Sequence, residues 1–130
     1  TSFTTQGSRI HAVDLATRSV IGSSPMGNLG IDAAATPDGT QIWASSYFED
    51  SVFVFDALTL EPVTRVTGIT NPWGIAFSPD GTRAYVASSV DSLGTLKVID
   101  TSTFAIVASV PVGQMPRNVA VTPSGRHVFV

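Results

Sequence analysis

Gly74-Ile75-Ala76-Phe77-Ser78-Pro79-Asp80-Gly81-Thr82-Arg83-Ala84-Tyr85-Val86-Ala87 joins two short apolar runs through a Ser-Pro-Asp-Gly turn. Proline presets φ for such a turn, aspartate bonds back to nearby backbone, and glycine accepts positive φ. The same turn recurs as Ala35-Thr36-Pro37-Asp38-Gly39 and Val121-Thr122-Pro123-Ser124-Gly125, with glycines 42 and 44 residues apart. A second landmark, Val13-Asp14, Phe55-Asp56 and Ile99-Asp100, keeps the same two spacings. The stretch is therefore one copy of a repeat.

Reading outward, each copy resolves into four strands. In the central copy they are expected at Trp73–Ser78, Arg83–Ser88, Leu96–Asp100 and Ala105–Val110. Their Val, Ile, Phe and Tyr content suits half-buried or fully buried strands, and no helical apolar stripe persists anywhere. A repeat of this length, built of short strands and tight turns, predicts an all-β fold: a β-propeller of four-stranded antiparallel blades. Aligning the copies puts Trp43, Tyr85 and Phe129 in one second-strand column, and Ala35, Phe77 and Val121 in one first-strand column. Apolar residues on both faces of the inner strands are what blades stacked face to face require.

The copies do not start at a blade boundary. Residues 1–24 read as the second half of a blade, 25–67 and 68–111 as whole blades, and 112–130 as the first half of another. The leading half comprises a second strand at Thr1–Thr5, a third at Arg9–Asp14 and a fourth at Ser19–Ser23. Joining the end to the start sets Phe129-Val130-Thr1-Ser2 under Tyr85-Val86-Ala87-Ser88 and completes a third blade. Three blades do not close a ring, since propellers have four to eight. Bare end faces of a few hundred Å² would forfeit on the order of ten kcal/mol at roughly 25 cal/mol per Å². Two arrangements satisfy this: a head-to-tail homo-oligomer in which two chains give six blades, or the rest of a longer propeller. Thr1 in place of an initiator Met fits a processed or excerpted chain.

Composition removes several functions. A net charge of −3 and a scatter of seven Lys and Arg residues exclude the basic stripe that nucleic-acid binding needs. No apolar run approaches the length of a membrane span. Without cysteine there is no thiolate nucleophile or Cys-based metal site. Charged residues are only 13% of the chain, so much of its surface is expected to be covered by sheet or partner.

The quoted stretch, followed by Gly94-Thr95-Leu96-Lys97-Val98-Ile99-Asp100-Thr101 and Val110-Pro111-Val112-Gly113, resembles the YVTN-type β-propeller repeat. The resemblance covers essentially the whole chain, with Tyr85-Val86-Ala87-Ser88 standing for the tetrapeptide that names the repeat. It implies an extracytoplasmic protein (periplasmic, secreted or cell-surface) and kinship with surface-layer, lactonase-like and quinoprotein or haem-d1 propellers. The lactonase-like and haem-binding relatives carry histidines at the starts of first strands. This sequence has Ile31, Trp73 and Arg117 there.

In a propeller, the loops entering first strands and those joining second to third strands open onto one face around the channel. Here these are Pro25–Asp32, Thr70–Gly74, Gln114–Asn118, Tyr47–Asp50 and Val90–Gly94. Asn28, Asp32, Asn71, Trp73, Arg117 and Asn118 are the ligand-binding candidates at the channel mouth, able to hydrogen-bond or stack. Turn shaping by the asparagines and blade packing by Trp73 is the competing structural reading. His11 and His127 fall in columns with Phe53 and Lys97, and with Gln41 and Arg83, which places them at solvent rather than in a ligand set. Asp14, Asp56 and Asp100 are expected to cap turns, as are Asp38 and Asp80. Glu49, Asp50 and Asp91 are read as solvated loop charge rather than a calcium site. No catalytic group, metal ligand set or cofactor is assigned. The expected function is a non-catalytic scaffold whose loop face binds a protein, glycan or small molecule. The alternative is part of a lactonase-like hydrolase or periplasmic oxidoreductase whose catalytic groups lie in other blades or chains.

Overall fold

A computed structural model describes residues 7–130. The expected strand at Thr1–Thr5, and the Thr1-Ser2 side of the end-to-start junction, lie outside the described residues. Twelve strands follow in chain order: β1 (Arg9–Asp14), β2 (Ser19–Pro25), β3 (Gly30–Ala35), β4 (Gln41–Ser46), β5 (Ser51–Asp56), β6 (Pro62–Thr67), β7 (Pro72–Phe77), β8 (Arg83–Val90), β9 (Leu93–Asp100), β10 (Ile106–Val112), β11 (Ala120–Val121) and β12 (Val128–Phe129). A single 3-10 turn, Tyr47–Glu49, interrupts them. Among the described residues no helix is long and apolar enough to cross a membrane.

The strands form two complete antiparallel meanders, β3-β4-β5-β6 and β7-β8-β9-β10, flanked by the two-stranded sheets β1-β2 and β11-β12. The fold is propeller-like, an arc of blades rather than a closed ring. Between the complete sheets lies the main core, with Trp43, Val52 and Val54 on one side and Ile75, Ala84, Val86 and Ile99 on the other. Trp43 is fully buried, edge-on to Phe77 at 5.4 Å and beside Phe104 at 5.8 Å. Its indole N–H donates to Gln41 Oε1 at 3.0 Å, so the ring is buried without stranding a donor. A smaller core of Met26, Ala44 and Phe55, joined by Ile10 and Phe53, seats β1-β2 on the first complete sheet.

The repeated turns explain the repeated strands. Gly39, Gly81 and Gly125 hold φ of 73°, 74° and 70°, and each donates its N–H to the carbonyl three residues back at 2.8 Å. In the first two copies the preceding aspartate completes the turn. Asp38 accepts from Thr36 Oγ1, Thr40 N and Thr40 Oγ1, and Asp80 accepts from Ser78 Oγ, Thr82 N and Thr82 Oγ1. The outer turns are equally regular. Asp14, Asp56 and Asp100 each accept from backbone and hydroxyl groups two to three residues ahead, as the sequence predicts. Four residues after each, Arg18, Leu60 and Phe104 adopt φ of 56°, 57° and 60°. That left-handed geometry costs about 1–2 kcal/mol per L-residue. Burial of Leu60, and packing of Phe104 on Trp43, offset it in two copies.

Strand limits differ in places from expectation. The segment expected as a loop at Val90–Gly94 is a tight hairpin, because Val90 pairs with Leu93 and only Asp91 and Ser92 turn, at φ of 46° and 72°. Two successive left-handed residues match the strand twist of a two-residue hairpin. β2 and β10 run on to Pro25 and Val112, since their neighbours continue to offer partners at Arg9 and Gly94.

Candidate functional site

The inner strands position the loop face by leaving their own ladders. β3 loses register with β4 between Gly30 and Ala33, and β7 loses register with β8 between Pro72 and Ile75. Both irregularities occupy the same repeat position, and the amides they release cross to other groups. Asp32 N–H donates to Ser45 Oγ at 3.1 Å. Gly74 N–H donates to the Arg117 carbonyl at 2.7 Å, in the next blade. A methyl group on Gly74 would sit 2.5 Å from that carbonyl oxygen, so only glycine permits the approach. Arg117 is thereby fixed over β7.

The consequence is a stack on the loop face. The Arg117 guanidinium lies 4.3 Å from the centroid of the Trp73 ring, a close cation–π contact. Trp73 follows the buried Pro72 and the left-handed Asn71, which set its direction. Tyr47 also meets Trp73 edge-on at 5.5 Å, and Phe48 meets Tyr47 edge-on at 5.2 Å. Four side chains from three successive blades thus form one band, from Phe48, 69% exposed, to the exposed Arg117. Among the described residues no carboxylate lies within ion-pair distance of Arg117.

Of the residues singled out from sequence, the structure brings together Trp73 and Arg117. Of the others, Asp32, Asn71 and Asn28 are engaged in the hydrogen-bond framework of the sheets and loops. Asp32 Oδ2 accepts from Ile75 N–H at 2.9 Å across the blade interface, and Oδ1 from Ala33 N–H at 2.9 Å. Asn71 N–H donates to Asp50 Oδ1 at 2.9 Å. The Asn28 side chain reaches Glu49 Oε1 at 3.4 Å, while its carbonyl accepts from Ser46 Oγ at 2.8 Å. Glu49 is also held by Arg65 at 3.2 Å. Asn118 is exposed beside Arg117. Tyr47 and Phe48 were missing from the sequence candidates. Their signal was two adjacent aromatics at the start of a loop already assigned to this face.

His11 and His127 are both exposed, on β1 and just before β12. The perturbed carboxylates lie in the turns, away from the aromatic band. Hydrogen bonds from Ser78 and then Thr82 hold Asp80 at a pKa of about 2, and bonds from Ser102 and Thr103 do the same for Asp100. Asp14, Asp38 and Asp56 are lowered by the same kind of bonds, led by Thr17, Thr36 and Thr59 respectively. These are the signatures of caps, not of general acids or bases.

No family model matches the chain, and no curated protein does. Solved structures do. The chain is similar to Kuenenia stuttgartiensis hydrazine synthase, with a TM-score of 0.84 and 32% identity over 89% of this chain and 33% of that one. It is also similar to a functionally unknown protein from Desulfotomaculum acetoxidans, with a TM-score of 0.80 and 15% identity over 88% of this chain and 37% of that one. The chain spans about a third of the length of each.

Proposed function

We propose that this chain is a non-catalytic YVTN-type propeller scaffold, working outside the cytoplasm, whose loop face binds a protein or glycan ligand. The observation that carries the reading is the Trp73–Arg117 stack, backed by Tyr47 and left without an anionic neighbour among the described residues. An aromatic edge supplies apolar contact to a sugar face or a peptide side chain. A guanidinium held over the indole face keeps N–H groups for a carboxylate. Binding of acidic glycans and acidic peptides, measured on arrays and then by calorimetry, tests it. Arg117→Ala and Trp73→Ala should each weaken a detected ligand at least tenfold. Binding unchanged by both substitutions refutes the assignment of this face.

A second reading has one specific observation in its favour, the 32% identity to hydrazine synthase across most of this chain. Under it, the chain is part of an oxidoreductase whose reactive groups lie elsewhere. Redox-active metal or haem co-purifying in stoichiometric amount with the complete protein would favour this reading over the binding module.

A further inference from the structure

We propose that the loop face takes a protein segment rather than a glycan: one carboxylate set on Arg117, with aliphatic side chains beside it against the tip of the β8-β9 hairpin. The inference rests on the reading above that this face binds a ligand, and it names the kind of partner.

The two residues by which the second whole repeat exceeds the first fall in this hairpin. Ser46 and Val52 are six positions apart, whereas their counterparts Ser88 and Leu96 are eight apart. In the first whole blade the β4-β5 ladder ends at Ser46–Ser51, and the Tyr47–Glu49 turn follows. In the second, the ladder runs on past the equivalent Ser88–Thr95 pair through Ser89–Gly94 to Val90–Leu93. The result is a finger on the loop face. Its terminal pair is aliphatic, with Leu93 69% and Val90 46% exposed, and neither belongs to the described core.

The finger is rooted beside the Trp73–Arg117 stack. Ser89 N–H donates to the Thr70 carbonyl at 3.3 Å, three residues before Trp73. Gly94, the partner of Ser89, packs so tightly on Gly113 and Pro116 that a methyl group there would collide with both. Pro116 leads directly into Arg117, and the exposed Met115, at a φ of 49°, leads into Pro116. The exposed aliphatic residues are thus gathered around the stack instead of scattered. Apolar surface concentrated in this way, with a polar group at its side, marks a contact for another macromolecule.

Charge selects the partner. Arg117 is the only Lys or Arg in the five loop segments of this face, which also hold Asp32, Glu49, Asp50 and Asp91. Ile75 N–H, Arg65 and Asn71 N–H engage the first three of these. One available cation among carboxylates, on a chain of net charge −3, accepts a single carboxylate and repels a polyanion such as a uronate-rich glycan. Nor do the rings offer a sugar a flat platform. Arg117 lies over the Trp73 face, and the ring planes cross at 73° between Tyr47 and Trp73 and at 85° between Phe48 and Tyr47. A polypeptide can lay a carboxylate and aliphatic side chains across an open surface of this kind.

The test uses the full chain and a displayed library of random linear peptides, with an acidic glycan array and decanoate as the other arms. Selected peptides should share one Asp, Glu or free C-terminal carboxylate with aliphatic residues close by. For the best of them, calorimetry should show the Val90→Ser, Leu93→Ser double variant raising the dissociation constant at least ~10-fold, and Arg117→Ala doing the same. Changing the peptide's carboxylate to an amide should weaken binding to the wild type without weakening binding to Arg117→Ala further, as a direct pair requires. Circular dichroism of the finger variant should match the wild type, because both side chains are exposed. Binding indifferent to the finger variant, or a selection without a shared carboxylate, overturns the proposal. Glycan or decanoate binding through Trp73 and Arg117, with no peptide selected, also overturns it while leaving the loop face as the binding face. If neither Arg117→Ala nor Trp73→Ala alters the binding of any arm, both readings fall.

Discussion

Asp32 and Ile75, 43 residues apart, are joined across the blade interface by a carboxylate–amide hydrogen bond of 2.9 Å. Ile75 is buried, so its amide has no ready water to replace the lost acceptor. Asp32→Ala should cost about 1–3 kcal/mol of unfolding free energy, the cost of an orphaned buried donor. Asp32→Asn, which keeps an acceptor oxygen, should cost less. Urea denaturation followed by circular dichroism measures both, and equal losses would show that the bond contributes nothing.

Trp43→Ala removes the ring that Phe77 and Phe104 enclose, and should cost about 3–5 kcal/mol. Trp43→Phe should cost less, because the last copy of the repeat already carries phenylalanine at this position. Thermal melts of the two variants give the comparison.

Gly74→Ala forces a methyl group onto the Arg117 carbonyl, and backbone cannot yield as a side-chain tip can. The expected outcome is a displaced β11-β12 half-blade and loss of the Trp73–Arg117 stack. Tryptophan emission should shift to the red, a change read in the Trp43→Phe background where Trp73 is the only indole. An unshifted spectrum would mean that the two inner strands do not approach as described.

Acid should destabilise the protein in a defined window. Asp80 and Asp100 titrate near pH 2 when folded, below the usual carboxylate value of 3.8. Their contribution is therefore complete above about pH 4 and is lost as pH falls toward 2. Asp80→Asn with Asp100→Asn should flatten the dependence of melting temperature on pH between 4 and 2. A slope unchanged by the double substitution would assign acid sensitivity elsewhere.

Ser124 fills the place of Asp38 and Asp80, and its side chain gives the last turn a hydroxyl contact of 3.1 Å to Thr122 in place of the carboxylate's three bonds. Ser124→Asp supplies the missing carboxylate and should raise the melting temperature by up to a few degrees. Calorimetry checks the sign.

Much of this was legible in the sequence because it is local. The Pro-Asp-Gly turns and the Asp-capped outer turns are decided within five residues, and each repeats, so their reading carried over to the structure. The Trp43, Tyr85, Phe129 column was equally readable, since strand spacing fixes which residues share a face. The hairpin at Asp91-Ser92 was not, because neither residue is the Asn-Gly or Gly pair that announces such a turn. Nor was the work of Asp32. A carboxylate beside a channel looks like a ligand group until the register loss in β7 places an unpaired amide opposite it. Trp73 and Arg117 were named separately, but their stacking depends on Gly74 bringing two backbones into contact.

The inter-blade links have a consequence for engineering. Asp32, Gly74 and Asn118 hold one position of the repeat, yet the first reaches its neighbour with a side chain and the second with its own amide. The units are thus keyed to their neighbours. Shuffling them, or building a uniform array from a single copy, should fail unless both halves of each key travel together.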